Sequence, residues 1–564
     1  MSGEELARLD GVHKQSVEIG RKRLLMGAGL FIIAFLAIVA RVGDLTLLKD
    51  GYEPRQAARA QPFTASRADI VDRNGVILAT SLATASLYAN PHHVLDAKEA
   101  AKKIARVLPE LPAAEIEAKL SSGRSFVWLK RNLTPKAEYA VNALGIPGLY
   151  FLREERRVYP QGNDAAHVVG YAGTDNHGLA GVEKSFDEQL RTSEQPVQLS
   201  IDLRVQHILH EELAAAVDKF RAVGASGLVM DANTGEIIAM VSLPDFDPHN
   251  PVGHDPDAIF DRNTMGVYEM GSTFKLFTVS MALDSGSATL ASTYDAVHPI
   301  KVGRFTITDY KGEHRWLSLA EVIKYSSNLG AARIAMEAGV ATHRKYIERF
   351  GLTKPLTSLE LPEHGIPHVP NPWREVNTMT IAFGHGLSVT PVHLARGVAA
   401  VADGGVLHPV TVIKRRPGEA VPGERVISEQ TSYIMRKLMR LVVTDGTGKF
   451  AAVPGYLVGG KTGTAEKTGV GGYKRKSNLS LFVSAFPMTA PRYIVLAMVD
   501  EPHGTKDTYG YSTGGWVAAP VVGHVIARTA AMLGVQPVDE NAPEVRSAMD
   551  LNVSAPGSKR IAAN

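Results

Sequence analysis

The sequence contains no cysteine among its 564 residues. This absence excludes disulfide bonds, zinc–thiolate sites, iron–sulfur clusters and thiol nucleophiles. Any covalent catalysis must therefore use an oxygen or an amine nucleophile. The 19 histidines include no H-E-x-x-H pair, so no metal site is expected. No other cofactor is expected either.

A strong excess of charge of either sign is also missing. The chain has 61 Lys and Arg against 58 Asp and Glu, a formal net charge of +3. This excess is too small and too dispersed to predict a nucleic acid partner. With 45% hydrophobic and 21% charged residues, the chain has the composition of a folded protein, and its length predicts roughly three or four domains.

Long hydrophobic runs are absent except for one, the uncharged segment Leu24–Ala40, which Arg21–Arg23 precede and Arg41 follows. Its length is at the short end for a membrane span. A cleaved signal peptide is the alternative, but the run is longer than a usual signal core and no A-x-A site follows it. We therefore predict a transmembrane anchor at 24–42. By the positive-inside rule, residues 1–23 are cytoplasmic and the rest of the chain is exported.

Two exported regions differ in their patterning. Residues 43–222 consist of short strands and loops with helical pieces such as Ala97–Leu111, which is typical of a scaffold. Ser226–Leu243 is predicted to form two strands joined by a turn, and it opens a second region at 223–534 that alternates helices and strands in an α/β or α+β pattern. Residues 535–564 are polar and rich in small side chains, which predicts a disordered tail.

The segment GYLVGGKTGTAEK, from Gly455 to Lys467, fits two motifs. It matches G-x-x-x-x-G-K-[ST], a phosphate-binding loop, and its Lys461-Thr462-Gly463 matches the K-T-G of penicillin-recognising serine enzymes. A phosphate loop must follow a buried strand and open a helix. Pro454 interrupts the preceding segment, however, and glycines such as Gly469 would break the helix. We therefore predict K-T-G on a strand and no nucleotide.

Two further motifs precede K-T-G. Ser272 and Lys275 form S-x-x-K at the start of a predicted helix, where positions three apart share one face. Ser326 and Asn328 form S-x-N, and Lys461–Thr464 follow as K-T-G-T. One S-x-x-K is expected by chance in a chain of this length. Three motifs in this order are far more specific.

With these motifs the chain resembles the class B penicillin-binding proteins, membrane-anchored peptidoglycan D,D-transpeptidases. Other segments similar to that family are Arg67–Ala79, Gly178–Leu190, Phe383–Ala395, Val442–Gly448 and Ser512–Val521. The chain departs from the family pattern at Ala68, where glycine is usual, at Met270, where proline is common, and at His393, where glutamine is common. None of these departures falls on a catalytic position.

The resemblance implies a multidomain α/β (α+β) fold. It comprises a single N-terminal transmembrane helix, a β-rich, non-catalytic pedestal of the dimerisation type at 43–222, and a transpeptidase domain at 223–534. The transpeptidase domain is expected to be β-lactamase-like, with an antiparallel sheet flanked by helices.

The nucleophile requires a base and a site for the developing oxyanion. Ser272 is the expected nucleophile, and Lys275 can be its base only if its pKa is depressed. Burial and the second cation, Lys461, would both act in that direction. The resemblance implies that the backbone N–H groups of Ser272 and Thr464 form the oxyanion hole, where Gly463 allows close approach of the substrate.

The resemblance also implies roles for the remaining motif residues. Ser326 would relay the proton to the leaving D-alanine, and Asn328 would orient the donor peptide. The hydroxyls of Thr462 and Thr464, together with Lys461, suit the terminal carboxylate of a D-Ala-D-Ala stem peptide. We expect no metal site among these residues.

The implied reaction is acyl transfer between peptidoglycan stem peptides, with β-lactams acylating the same serine. A D,D-carboxypeptidase or β-lactamase would use water as the acceptor, and a β-lactam sensor would bind without turnover. Within class B, two segments favour the septal over the elongation type, namely KTGTAEKTGVGGYKRK and SAFPMTAPRYIVLAMVDEP. The implied setting is the inner (plasma) membrane, with a multi-span SEDS-type, FtsW-like glycosyltransferase and other division proteins as partners.

Overall fold

The computed structural model describes residues 21–39, 66–251, 253, 255–303, 305–469 and 472–551. The chain forms two compact units, Met1–Thr64 and Ala65–Asn564. In the first unit, helix α1 (Arg21–Val39) is long and apolar enough to cross a membrane, so it fits a single-pass anchor. The rest of the predicted anchor, 40–42, and the start of the predicted pedestal, 43–65, lie outside the described residues.

The N-terminal part of the second unit is a five-stranded sheet covered by helices, in the order β3-β2-β1-β5 with β4 paired to β2. Its strands are β1 (Ile70–Val71), β2 (Ile77–Ala89), β3 (Val127–Leu133), β4 (Leu149–Val158) and β5 (Val197–Gln198). Its helices are α2 (Ala97–Val107), α3 (Ala113–Leu120), α4 (Pro135–Asn142), α5 (Ala166–Val169), α6 (Gly181–Ser185) and α7 (Asp187–Thr192).

Helix α2 shows how the sequence sets these elements. Asp96 caps its N-terminus, because the carboxylate accepts from the backbone N–H groups of Lys98 and Glu99, both at 2.9 Å. The helix ends at Val107, because the residue before Pro109 is disfavoured in the helical conformation. Its buried Ala100, Ala101 and Ile104 pack against the sheet in one apolar cluster.

A buried ion cluster joins the segment just before β1, and strand β4, to α6 and α7. Arg67 Nε lies 2.6 Å from Glu183, and its Nη1 lies 2.7 Å from Asp187. Arg157, on β4, contacts the other oxygen of Glu183 at 2.6 Å. Loss of any one partner would leave an uncompensated buried charge. The cluster therefore fixes the sheet against the helices.

The C-terminal part contains a second five-stranded sheet, entirely antiparallel, in the order β16-β17-β18-β6-β7. Its strands are β6 (Gly224–Asp231), β7 (Ile237–Leu243), β16 (Gly459–Gly469), β17 (Gly472–Phe486) and β18 (Tyr493–Asp500). The predicted hairpin within Ser226–Leu243 is confirmed as β6 and β7. The pairing leaves β16, which carries K-T-G, at the edge of the sheet.

Helices cover both faces of this sheet. All eight residues of β18 are buried, and alternate residues join two different apolar clusters. Val495 and Val499 pack on the side of the helices α8 (Leu203–Phe220) and α17 (Ala518–Thr529), and Ile494 and Leu496 pack on the opposite side. A strand covered on both faces has a continuous hydrophobic sequence. The run YIVLAMV therefore marks the centre of the domain.

The remaining elements surround this sheet or lie between β7 and β16. The helices are α8 (Leu203–Phe220), α9 (Pro256–Ile259), α10 (Lys275–Asp284), α11 (Leu319–Lys324), α12 (Asn328–Ala338), α13 (Val340–Arg349), α14 (Glu375–Ile381), α15 (Pro391–Ala402), α16 (Glu429–Asp445), α17 (Ala518–Thr529) and α18 (Pro543–Met549). The short strands are β8 (Tyr268–Glu269), β9 (Thr293–Asp295), β10 (Ile300–Val302), β11 (Phe305–Ile307), β12 (Trp316–Ser318), β13 (Ser388–Val389), β14 (Val406–Leu407) and β15 (Glu424–Arg425).

The segment after Gly534 differs from the predicted disordered tail. Glu540 pairs with Arg440 on α16 and accepts from the N–H of Gly455 at 2.8 Å. Val545 and Met549 pack against the core. The prediction of disorder is therefore wrong for residues 535–551, because a few specific contacts outweigh the polar composition. Residues 552–564 lie outside the described residues.

Candidate active site

Ser272 lies in a single 3-10 turn, Gly271–Phe274, and α10 begins at Lys275. The sequence predicted Ser272 at the start of a helix, and the structure places it in the 3-10 turn that leads into that helix. In a 3-10 turn, side chains three residues apart are eclipsed. Lys275 Nζ therefore lies 2.7 Å from Ser272 Oγ. The predicted pairing is present, and the tighter turn aligns the two groups more closely than an α-helix would.

Three backbone segments pack together at this turn. Gly271 has a φ of +52°, and a Cβ there would lie 2.6 Å from the carbonyl oxygen of Thr464 on β16. A Cβ on Gly384, whose φ is +89°, would lie 1.9 Å from the carbonyl oxygen of Gly271. Both positions therefore require glycine. The close approach places the nucleophile directly beside the strand that carries K-T-G.

Lys275 is fully buried and surrounded by acceptors. Besides Ser272, its Nζ contacts the carbonyl oxygen of Ser326 at 2.8 Å, the Oγ of Ser326 at 3.2 Å and the Oδ1 of Asn328 at 2.7 Å. Burial, together with repulsion by Lys461, holds the pKa of Lys275 well below its usual value, although the charge of Asp309 opposes this shift. A lowered pKa favours the neutral amine, which is the form that can accept a proton.

Ser326 has a φ of +61°, a left-handed conformation that non-glycine residues rarely adopt. This conformation turns both its carbonyl oxygen and its hydroxyl toward Lys275. Backbone strain of this kind persists only where the surrounding structure enforces it. The conformation of S-x-N is therefore tied to the position of the base.

Lys461 is the second buried lysine of the site. Its Nζ donates to Ser326 Oγ at 2.9 Å and lies 3.2 Å from Thr462 O and 3.3 Å from Thr462 Oγ1. Burial lowers the pKa of Lys461 to about 7. Because Ser326 Oγ contacts both lysines, a continuous hydrogen-bonded path leads from Lys461 through Ser326 and Lys275 to Ser272.

The two threonines of K-T-G-T have partners in the protein. Thr462 Oγ1 lies 2.8 Å from the hydroxyl of Thr447, and Thr464 Oγ1 accepts from the N–H of Gly514 at 3.1 Å. Gly463 has a packing role, because a Cβ there would lie 2.7 Å from the carbonyl oxygen of Met270. The space predicted for the substrate at Gly463 is therefore used by the turn that carries the nucleophile.

The structure thus joins six of the eight predicted site residues by direct hydrogen bonds: Ser272, Lys275, Ser326, Asn328, Lys461 and Thr462. Gly463 and Thr464 follow on the same strand, next to Gly271.

Sequence reasoning missed three neighbours of the site. Asp309 binds the S-x-N segment, and Thr447 binds Thr462. His385 is mostly buried, and its pKa is lowered to about 4 by burial and by Lys275. Thr447 and His385 lie inside segments noted above as similar to the family, although neither was singled out. Asp309 lies in no motif, so no local pattern could have identified it.

These groups have the arrangement that serine acyl transfer with a lysine base would require. Ser272 has the amine of Lys275, whose pKa is lowered, within hydrogen-bonding distance, and the hydroxyl of Ser326 connects that amine to Lys461. The serine lies at the start of a helix beside the edge strand of an antiparallel sheet, the arrangement expected for a penicillin-recognising enzyme.

Comparison with known proteins agrees with this class. Residues 225–527 match the penicillin binding protein transpeptidase domain, and residues 62–212 match the penicillin-binding protein dimerisation domain. The chain belongs to the class B penicillin-binding protein family.

Among relatives, the chain is 42% identical to the probable peptidoglycan D,D-transpeptidase FtsI of Caulobacter vibrioides, over 92% of this chain and 89% of that protein. It is 31% identical to the peptidoglycan D,D-transpeptidase FtsI of Escherichia coli, over 92% of each chain. It is also 32% identical to stage V sporulation protein D of Bacillus subtilis, over 92% of this chain and 86% of that protein.

Solved structures show the same fold. Penicillin binding protein 3 from Mycobacterium, complexed with aztreonam, matches 84% of this chain and 98% of its own, with 25% identity and a TM-score of 0.66. The transpeptidase domain of Burkholderia pseudomallei penicillin-binding protein 3 matches 60% of this chain and 97% of its own, with 35% identity and a TM-score of 0.54.

Proposed function

We propose that this protein is a peptidoglycan D,D-transpeptidase that cross-links stem peptides through a serine acyl-enzyme during septal wall synthesis. The observation that carries the proposal is the 2.7 Å contact between Ser272 Oγ and the Nζ of Lys275, whose pKa is strongly lowered. The names of the relatives in Caulobacter and Escherichia coli support both the reaction and the septal role.

In the acylation step, Ser272 Oγ attacks the carbonyl carbon of the penultimate D-alanine while Lys275 Nζ takes the hydroxyl proton. The C–N bond to the terminal D-alanine then breaks. The leaving amine receives a proton through Ser326 Oγ, which contacts both lysines. The product is an ester between Ser272 and the donor stem peptide.

In the second step, an amine of a neighbouring stem peptide attacks the ester carbonyl. Lys275 takes a proton from this amine, the new amide forms, and the Ser272 oxygen leaves as a hydroxyl. The same serine reacts with a β-lactam ring, which opens to give a stable ester. The stem peptide and the β-lactam therefore both form an ester with Ser272, so either can be used to assay this nucleophile.

The other motif residues act on the substrate in this proposal. Lys461 binds the terminal carboxylate with the hydroxyls of Thr462 and Thr464, and Asn328 orients the donor peptide. The backbone N–H groups of Ser272 and Thr464 hold the oxyanion. The contact of Thr447 with Thr462 supports this reading, because it fixes the hydroxyl that faces Lys461.

The cellular setting is part of the same proposal. Residues 1–23 lie in the cytoplasm, α1 crosses the inner membrane, and the pedestal (43–222) and transpeptidase domain (223–534) are extracytoplasmic. An FtsW-like glycosyltransferase of the division complex supplies the glycan strands. A fluorescent fusion concentrated at midcell would support the septal role, whereas a fusion spread along the lateral wall would favour the elongation type.

Ser272→Ala tests the nucleophile. The variant should lose covalent labelling by a fluorescent penicillin, at a cost of about 10⁴-fold or more in rate, with little change in thermal unfolding. Ser280→Ala is the matched control: Ser280 is a buried serine of α10, the helix that follows the turn of Ser272, and its hydroxyl donates to the carbonyl of Leu276 at 2.6 Å. Stoichiometric labelling of Ser272→Ala would contradict the assignment.

The acceptor is tested separately. With a stem-peptide donor and an added amine, the wild-type protein should form the amide in preference to the hydrolysed acid. Release of acid alone would indicate a D,D-carboxypeptidase, and acylation without turnover would indicate a β-lactam sensor.

A further inference from the structure

Asp309 lies outside every motif of the sequence but reaches the centre of the site. It follows β11, in the segment Ile307–Lys311. Its side chain points to the N-terminus of α12, a helix of 11 residues that begins at Asn328. The same chain segment contributes a second contact, because the Asn328 side-chain amide donates to the carbonyl oxygen of Thr308 at 3.2 Å.

The carboxylate of Asp309 accepts from three donors in residues 327–329, two of them within S-x-N. Its Oδ1 accepts from the backbone N–H of Asn328 at 2.5 Å and from that of Leu329 at 3.0 Å. Its Oδ2 accepts from the hydroxyl of Ser327 at 2.7 Å. Ser327 itself caps the helix by accepting from Gly330 N–H at 3.0 Å.

These contacts bear directly on the base. Asp309 binds the three residues that directly follow Ser326. Lys275 Nζ contacts the carbonyl and hydroxyl oxygens of Ser326 and the Oδ1 of Asn328. Ser326 is held in a left-handed conformation that needs support from its surroundings. The carboxylate supplies that support, since it fixes the three residues that follow Ser326.

We propose that Asp309 is a positioning residue for acyl transfer: its carboxylate holds S-x-N so that Ser326 and Asn328 orient Lys275 toward the nucleophile. This role rests on the proposed function of the site. Asp309 does not touch the reacting atoms and acts through Ser327, Asn328 and Leu329.

The charge of Asp309 gives the proposal a signature that a purely structural role lacks. The ionisable groups that face Lys275 are Lys461, His385 and Asp309. Of these, Asp309 is the anion, and it stabilises the protonated form of Lys275. Acylation needs neutral Lys275, so its rate falls as pH decreases through the pKa of that lysine. We call this fall in rate at low pH the acid limb of the pH–rate profile. Removal of the negative charge should move the acid limb to lower pH.

Asp309→Asn and Asp309→Ala separate charge from geometry. The amide oxygen of asparagine can still accept from Asn328 and Leu329, whereas its NH2 group replaces the oxygen that accepts from Ser327. Asp309→Asn therefore loses the charge and one acceptor but keeps both backbone contacts. Alanine removes the acceptors as well and leaves three donors without partners. Asp96→Asn and Asp96→Ala are the matched controls, because Asp96 accepts from two N–H groups at the start of α2, also 11 residues long, in the pedestal.

The measurement is the second-order rate constant of acylation by a fluorescent penicillin, from pH 5 to 9, on the full chain in detergent, with thermal midpoints recorded in parallel. Asp309→Asn should keep most of the plateau rate and move the acid limb down by roughly half to one pH unit. Asp309→Ala should lower the plateau by roughly 10- to 100-fold. The Asp96 variants should change neither quantity.

An acid limb of Asp309→Asn that coincides with that of the wild type would overturn the proposal. A plateau for folded Asp309→Ala within about twofold of the wild type would do the same. If Asp309→Ala does not fold, the pH of the acid limb measured for Asp309→Asn is sufficient to test the proposal. Persistent penicillin labelling of Ser272→Ala would contradict the proposed function itself. If Ser272→Ala loses labelling but the acid limb of Asp309→Asn stays at the wild-type pH, only the role of Asp309 is contradicted.

Discussion

Lys461→Met should make the protein more stable and nearly inactive. Lys461 is fully buried, and burial lowers its pKa from 10.5 to about 7. At neutral pH the folded protein therefore holds a buried charge on Lys461 that would have a lower free energy in water. Methionine has a similar length and no charge, so it removes this cost. It also removes the group proposed to bind the substrate carboxylate, which should slow acylation roughly 10²- to 10³-fold.

The pH dependence of the stability gain follows from proton linkage. Between about pH 7 and 10.5 the unfolded chain holds a proton on Lys461 that the folded protein has released, so wild-type stability rises with pH across this window. Below about pH 7 both states are protonated, and the full cost remains. The pKa change corresponds to an upper limit of about 5 kcal/mol. The advantage of Lys461→Met should thus be largest below pH 7 and shrink above it.

The pH dependence of the stability difference between Lys461→Met and the wild type tests the reasoning better than the size of that difference at one pH. Methionine leaves Ser326 Oγ and Thr462 O without one donor each, a loss that can offset part of the gain. This loss does not depend on pH. From pH 6 to pH 9 the difference in unfolding free energy between variant and wild type should shrink by about 2–3 kcal/mol. Lys275 adds to this trend, because its pKa rises when the neighbouring charge is lost.

The assay is a series of thermal midpoints from pH 6 to 9 in detergent, with the acylation rate measured on the same samples. Lys345→Met replaces an exposed lysine of α13 and should show no such trend. The advantage of Lys461→Met should amount to several degrees at pH 6. An advantage that is constant with pH, or acylation at the wild-type rate, would refute the reasoning about this lysine.

Two further predictions concern packing around the site. Deletion of residues 535–564 should lower the thermal midpoint by several degrees in a melting scan, because it removes the partner of Arg440; an unchanged midpoint would show that the segment contributes nothing. Gly384→Ala should abolish penicillin labelling, because the new Cβ would lie 1.9 Å from the carbonyl oxygen of Gly271 at a φ that alanine disfavours. Wild-type labelling of soluble Gly384→Ala would contradict this packing.

The parts of the site that could be predicted are those written in short patterns. Ser272 and Lys275 are three residues apart, so local geometry alone brings them together. The hairpin of β6 and β7 and the buried strand β18 follow from hydrophobic period and turn residues. The proximity of Ser326 and Lys461 to that pair came from motif order and family resemblance, since no local pattern spans the distance.

The parts that could not be predicted depend on single long-range contacts. Asp309 is an isolated acid in a loop, and only the folded chain shows which helix it caps. The segment after Gly534 has the composition of a disordered tail, yet one carboxylate, Glu540, satisfies both Arg440 and the N–H of Gly455. Composition averages over a segment and does not register one well-placed side chain.

The two buried lysines act as one electrostatic unit in the proposed reaction. Ser326 Oγ lies 2.9 Å from Lys461 Nζ and 3.2 Å from Lys275 Nζ, and repulsion between the two charges lowers the pKa of Lys275. A substrate carboxylate bound at Lys461 favours the protonated form of that lysine, whose pKa in the free protein is only about 7. Protonated Lys461 in turn disfavours a proton on Lys275. Binding of the correct carboxylate therefore favours the neutral base, so recognition of the substrate and activation of Ser272 share one cause.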